Sequence, residues 1–88
     1  MSRKLAQGAT VGILGGGQLG RMLSVAASRL GLKTHVFTPE ADPPAGQVCW
    51  QVTTAEYTDV TALTAFAKNV DVVTFEFENI PTEALDIL

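Results

Sequence analysis

The sequence predicts an open, parallel α/β sheet with helices on both faces, and three observations predict it. Short apolar or β-branched runs alternate with longer amphipathic ones, the pattern of β–α–β units and not of hairpins. The first run, Thr10 to Leu14, is almost continuously apolar, as expected of a central strand covered on both faces. It leads straight into Gly15-Gly16-Gly17-Gln18-Leu19-Gly20, which reads as a glycine turn followed by the first turn of a helix.

Each glycine of the spaced set has a physical task. Gly15 lets the chain turn sharply, Gly17 lets a ligand approach bare backbone, and Gly20 lets the helix pack close to the sheet. From Leu19 the apolar residues fall at Leu19, Met22, Leu23, Ala26, Ala27 and Leu30, a helical stripe expected to face the sheet. Gly31 suits the left-handed cap that ends this helix, and Arg29 suits the negative end of its dipole. Thr34 to Thr38 reads as the second strand. Pro39, Pro43, Pro44 and Gly46 then mark a loop that has room for one helical turn from Pro44 to Cys49.

Gln51 to Thr54 is a short third strand. Thr58 or Asp59 caps a second helix with apolar positions Val60, Leu63, Ala67 and Val70. Asp71 to Phe75 is the fourth strand, and its exit, Glu76-Phe77-Glu78-Asn79-Ile80-Pro81, leads into another helix start. The expected spatial order is 3-2-1-4, a Rossmann-like sheet in which ligands bind beyond the carboxyl ends of strands one and four, where the winding reverses. The glycine turn and Glu76 then face one crevice, one side offering backbone N–H groups and the other carboxylates.

Composition narrows the function classes. With 88 residues, 47% hydrophobic and 17% charged, the chain suits one domain with a modest core. It stops soon after Pro81, so it reads as a piece of something longer, truncated at its C-terminus. A net charge of −3 with scattered basic residues argues against a nucleic-acid partner or an anionic membrane surface. One cysteine excludes an internal disulfide, no metal-ligand spacing surrounds Cys49 or His35, and neither a signal peptide nor a membrane-spanning run is present. A cytoplasmic setting is expected. His35, inside a strand, reads as a packed or edge histidine, Cys49 as a small buried hydrophobe, and Trp50, Phe75 and Phe77 as packing residues.

The spacing Gly15-x-Gly17-x-x-Gly20 by itself suggests a dinucleotide site. An NAD site also expects an acidic residue at the end of the second strand, to hold the ribose hydroxyls. Thr38 stands there instead, and Glu40 follows Pro39, which takes it off the strand end. Arg21 could hold a phosphate or be a solvated surface charge.

The run Gly12-Ile13-Leu14-Gly15-Gly16-Gly17-Gln18-Leu19-Gly20-Arg21-Met22-Leu23, with Pro44-Ala45-x-Gln47-Val48 and Phe75-Glu76-Phe77-Glu78-Asn79-Ile80-Pro81, resembles the N-terminal, pre-ATP-grasp domain of the N5-carboxyaminoimidazole ribonucleotide synthetase family. This family is also known as the ATPase subunit of phosphoribosylaminoimidazole carboxylase. The resemblance covers nearly the whole chain after Ala9. It departs at Thr38-Pro39, where family members often carry Asp-Pro, so this chain has no carboxylate at that position.

The resemblance implies a reaction of purine biosynthesis. ATP, bicarbonate and 5-aminoimidazole ribonucleotide give N5-carboxyaminoimidazole ribonucleotide, ADP and phosphate, through carboxyphosphate. It implies that ATP and Mg2+ are used by a full-length homodimer, with their ligands in ATP-grasp domains outside residues 1–88. This domain is then a substrate-binding wall that carries no catalytic or metal-ligating residue and is inactive by itself. By the resemblance Gly17, Gln18 and Leu19 contact the ribonucleotide, and Glu76 accepts hydrogen bonds from the ribose hydroxyls, with Asn79 nearby. The plainer readings are a solvated strand exit for Glu76 and Glu78 and a turn or helix cap for Asn79. An NAD(P)-binding oxidoreductase domain and a non-catalytic nucleotide-binding module are the alternatives.

Overall fold

The computed structural model describes residues 8–75. The elements run β1 (Thr10–Leu14), α1 (Gln18–Arg29), β2 (Lys33–Thr38), a 3-10 turn (Pro44–Gln47), β3 (Gln51–Thr54), α2 (Val60–Lys68) and β4 (Val72–Phe75). Every strand pairing is parallel, and the spatial order is β3-β2-β1-β4. This is the sheet the alternating pattern predicts, with strand ends within a residue of those expected.

The two faces of the sheet bury different groups. Ile13 and Val36 project toward α1 and the 3-10 turn, packing with Ala45, Leu23 and Val52. On the opposite face Leu14 and Phe37 pack with Leu63 and Phe66 of α2. The alternation of side chains along each strand sends successive residues to opposite layers. Phe66 sits at the centre of the second layer, its ring centroid 5.3 Å from that of Phe37 and 4.9 Å from that of His35. The apolar pattern for α2 omitted Phe66 and included Val60, which is 59% exposed.

The face that α1 turns to the sheet also differs from the expected stripe. Gly20, Ser24 and Ala27 are the buried positions, with Leu23 packed beside them, while Leu19, Met22 and Leu30 are exposed. At about 100° per residue the buried face lies roughly a quarter turn from the most apolar one. Small side chains let α1 approach the strands closely, and closeness decides the contact here more than residue hydrophobicity does. Ser24 satisfies its buried hydroxyl within the helix, donating to the Gly20 carbonyl at 2.9 Å.

Both helix ends follow from local chemistry. Gly31 adopts φ 79°, and the N–H groups of Leu32 and Gly31 return to the carbonyls of Ala27 and Ser28, each at 3.0 Å. These two bonds form a Schellman cap. Asp59 caps α2, accepting from the Ala62 N–H at 3.0 Å. Asp59→Ala is expected to destabilise the domain by about 1 kcal/mol, with Asp59→Asn costing less, read from urea midpoints.

Trp50 and Phe75, both expected to pack, are exposed, Phe75 by 44%, whereas Cys49 does pack against the layer of Ile13 and Val36. Trp50 is 57% exposed and carries the Lys33 ammonium 4.7 Å above its ring. Cys49 is half-buried, its thiol donating to the Gln51 carbonyl at 3.4 Å, and burial raises its pKa, which keeps the thiol protonated.

Candidate functional site at the carboxyl ends of the strands

The strands β2, β1 and β4 end at one level, because Leu14 stands opposite Phe37 on one side and Phe75 on the other. Immediately beyond Leu14 the chain reverses. Gly15 takes φ 114°, a conformation open to glycine and strained for other residues, while its N–H donates to the Phe37 carbonyl at 2.9 Å. The turn therefore stays anchored to β2 as it leaves the sheet.

Gly16 has a task that spacing alone did not reveal. A Cβ here would lie 2.6 Å from Cβ of Pro43 and 3.0 Å from Cγ2 of Thr38. The Gly16 carbonyl accepts from the Ala45 N–H at 2.9 Å. The loop after β2 is thus seated directly on the glycine turn. Arg21 completes the attachment, donating from Nη1 to Oε1 of Gln47 at 2.6 Å. Arg21 is therefore not a bare solvated charge: one of the five N–H groups of its guanidinium holds the 3-10 turn. Gln47 belonged to a recognisable run without an assigned role, and the signal for its function was the proline pair that starts a helical turn after strand two.

Gly17 is the N-cap of α1 and supplies no side-chain cap, and the first turn of the helix carries no acidic residue. The first helical bond runs from the Arg21 N–H to the Gly17 carbonyl at 3.0 Å, so the N–H groups of Gln18, Leu19 and Gly20 have no intrahelical acceptor. They mark the positive end of the dipole. Gln18 and Leu19 are both exposed at the start of α1, and Gln18 borders a shallow groove along that helix. Glu76, Glu78, Asn79 and Phe77 lie outside the described residues. The register nonetheless places the end of β4, at Phe75, beside the last residue before the glycine turn.

Thr38 is 1% exposed and its Oγ1 accepts from the Glu40 N–H at 3.3 Å. Its side chain is committed to packing against the glycine turn and to its own loop. Glu40 itself is exposed, so no carboxylate occupies the buried strand end where a dinucleotide ribose would need one. Among the described residues no group of three or more His, Cys, Asp or Glu gathers as a metal site.

His35 lies away from this crevice. It is 1% exposed, its Nε2 is 2.6 Å from the Thr53 hydroxyl, and its Nδ1 has no hydrogen-bond partner. Burial lowers its pKa from the ordinary histidine range. The unfolded chain therefore binds the proton more readily than the folded one. Stability contributed by neutral His35 is fully present above about pH 6.5 and falls as the pH drops through that value toward the lower folded pKa. We expect urea midpoints to decline between pH 7 and pH 5, and His35→Phe to flatten the decline. Parallel slopes for the two proteins would assign the effect elsewhere.

The architecture is that of a parallel α/β domain with a glycine turn at the switch point of its sheet. The chain matches the family described as "Ribonucleotide synthetase preATP-grasp domain" over residues 8–88, and it belongs to that family. It is 50% identical over 84 residues to the N5-carboxyaminoimidazole ribonucleotide synthase of Brucella melitensis, covering 96% of this chain and 23% of that protein. It is 54% identical over 84 residues to the bifunctional purine synthesis protein purC/E of Dictyostelium discoideum, covering 96% of this chain and 8% of the relative.

Among solved structures, an ADP complex of purK, an N5-carboxyaminoimidazole ribonucleotide synthetase, superposes with a TM-score of 0.91 at 44% identity, covering 98% of this chain and 23% of that one. The Aspergillus clavatus N5-carboxyaminoimidazole synthase, in complex with ADP and 5-aminoimidazole ribonucleotide, superposes with a TM-score of 0.79 at 39% identity, covering 91% of this chain and 22% of that one. The chain thus spans under a quarter of the length of these relatives.

Proposed function

We propose that these residues form the ribonucleotide-binding domain of an ATP-dependent ligase that converts 5-aminoimidazole ribonucleotide and bicarbonate to N5-carboxyaminoimidazole ribonucleotide. The observation that supports this reading is the register of β4 against β1, which sets Phe75, the last described residue, opposite Leu14 at the start of the glycine turn, in a chain of this family. Gly17, Gln18 and Leu19, at the start of α1, make one wall. Glu76 and Asn79, just beyond β4, make the other, with the two oxygens of Glu76 suited to a vicinal diol.

Nucleotide and magnesium are bound by domains outside this sequence, in a homodimeric, cytoplasmic protein. The 88 residues therefore bind substrate weakly and turn nothing over by themselves. Bicarbonate is activated elsewhere; this domain's part is to hold the ribonucleotide in position for the carboxyl group.

The test is ATP hydrolysis by the complete gene product with bicarbonate, with and without 5-aminoimidazole ribonucleotide. Stimulation by the ribonucleotide is expected, and its absence would overturn the reading. Gln18→Ala is expected to raise KM for the ribonucleotide about 3–10-fold, the loss of one ordinary hydrogen bond, while KM for ATP stays as it was. Binding of NADH at micromolar concentration, followed by nicotinamide fluorescence, would favour an oxidoreductase instead.

A further inference from the structure

Three successive glycines, Gly15 to Gly17, carry no side chains to fix their dihedral angles, so the shape of the turn has to be imposed from outside. Each is held by a different element. The Gly15 N–H donates to the Phe37 carbonyl of β2 at 2.9 Å, the Gly16 carbonyl accepts from the Ala45 N–H of the 3-10 turn at 2.9 Å, and the Gly17 carbonyl accepts from the Arg21 N–H of α1 at 3.0 Å. The Arg21 guanidinium closes these links into a ring, because Gln47, its acceptor at 2.6 Å, belongs to the same 3-10 turn as Ala45. The ring runs from Gly16 through Gly17, Arg21, Gln47 and Ala45 back to Gly16. Its other noncovalent links are backbone bonds; the one between Arg21 and Gln47 joins two side chains.

We infer that Arg21 and Gln47 are positioning residues for the ribonucleotide: their bond holds the glycine turn and the start of α1 in the shape that receives it, and they act through the turn without touching the ligand. This role rests on the reading of the glycine turn as one wall of the ribonucleotide site. The Gln18, Leu19 and Gly20 N–H groups, which lack intrahelical acceptors, point where the turn aims them. A turn already fixed before binding loses no affinity to its own ordering, whereas a loosened one does. The effect falls on binding of the ribonucleotide, because ATP is bound and bicarbonate activated outside this domain.

The surroundings of the pair favour this task. Pro43 and Ala45 are buried and Gln47 is exposed, so packing fixes the start of the 3-10 turn and leaves its far end to the hydrogen bond. Arg21 stands in the first turn of α1, where a cation opposes the helix dipole, and its bond to Gln47 turns the guanidinium toward the loop. The loop is also seated closely enough to pass a shift on. A Cβ on Gly16 would lie 2.6 Å from Cβ of Pro43, so a loop released at Gln47 moves against the glycine turn itself.

The experiment is steady-state ATP hydrolysis by the complete gene product with bicarbonate and varied 5-aminoimidazole ribonucleotide, for wild type, Arg21→Ala, Gln47→Ala, the double variant and Gln47→Glu. Each alanine variant is expected to raise KM for the ribonucleotide about 3–10-fold, with kcat and KM for ATP within about twofold of wild type. The double variant is expected to match the single ones, because all three lack the same bond; independent contacts with the ligand would instead multiply to about 10–100-fold. Gln47→Glu is expected to keep KM within about twofold of wild type, since its carboxylate accepts from the same guanidinium. Circular dichroism checks folding; where an alanine variant is not folded, Gln47→Asn, whose amide stops one methylene short of Arg21, replaces it with the same rise expected. An unchanged KM in folded Gln47→Ala or Gln47→Asn, a multiplicative double variant, or a Gln47→Glu as impaired as Gln47→Ala would each overturn this role alone. A wild type whose hydrolysis the ribonucleotide does not stimulate would overturn the proposed function and this role with it.

Discussion

Phe66→Ala is expected to destabilise the domain by about 3–5 kcal/mol, the usual cost of deleting a buried aromatic ring. The ring is 1% exposed, packs on Phe37 and meets the edge of His35, and fills the space left by the missing side chain of Gly12. A Cβ on Gly12 would lie 2.7 Å from its Cζ. A domain of this size has a total stability of roughly 4–13 kcal/mol at the usual value per residue. The variant should therefore be largely unfolded under mild denaturant, read as a lowered urea midpoint at constant slope. A loss below about 1.5 kcal/mol would mean that the α2 layer closes over the cavity. Gly12→Ala should also destabilise, and the two substitutions should couple by more than about 0.5 kcal/mol because they share one volume.

Gly16→Ala carries the second large effect, and here the damage falls on the site. The new methyl would meet Cβ of Pro43 at 2.6 Å, and a proline ring cannot rotate away as a longer side chain could. Relief requires the loop to lift, which strains the bond from Ala45 to the Gly16 carbonyl and the bridge from Arg21 to Gln47. Overpacking of this kind costs about 1–3 kcal/mol. In the complete gene product the same change is expected to raise KM for the ribonucleotide more than KM for ATP, since the displaced loop borders the glycine turn. Pro43→Gly should restore part of the loss, whereas Pro43→Ala should not, because it keeps the offending Cβ. Equal recovery with both would contradict the proposed contact.

The contrast between Gly16 and the spaced glycines shows how spacing can locate a turn and still leave one of its members without a task. The motif emphasises Gly15, Gly17 and Gly20, whose roles are written in the local geometry of strand, turn and helix. Gly16 falls outside the spaced set, yet it has the tightest described packing in the turn, because a loop almost thirty residues further along the chain lands on it. Nothing in the local sequence encodes that landing. The same holds for Arg21, whose partner Gln47 comes from the same distant loop. Read by itself, a cation in the first turn of a helix suggests an anion; the bond to Gln47 shows that it also fastens the loop.

His35 illustrates a related limit. Its position in a β-branched strand announced a packed residue, and it is packed. The consequence for pH dependence came from two facts with no sequence signature, a partner at Nε2 and none at Nδ1. Phe66 was hidden by a different cause. Its helix offered several apolar residues, and periodicity cannot rank those on neighbouring angular positions when the strand beneath supplies a glycine-sized recess.

The sequence by itself determined the order and kind of the elements, the parallel sheet with its 3-2-1-4 arrangement, the glycine turn at the switch point and the family. These follow from local rules: alternation of strand and helix patterns, proline and glycine at boundaries, and a contiguous motif. Only the tertiary structure decided which face of α1 is buried, which glycine carries the loop, and what Arg21 holds. Hydrophobicity favours burying the Leu19–Leu30 stripe, but the sheet accepts the helix only where Gly20, Ser24 and Ala27 let it come close. Steric fit between elements distant in sequence outweighs the apolar content of either one, and that is why Met22 and Val25 face outward.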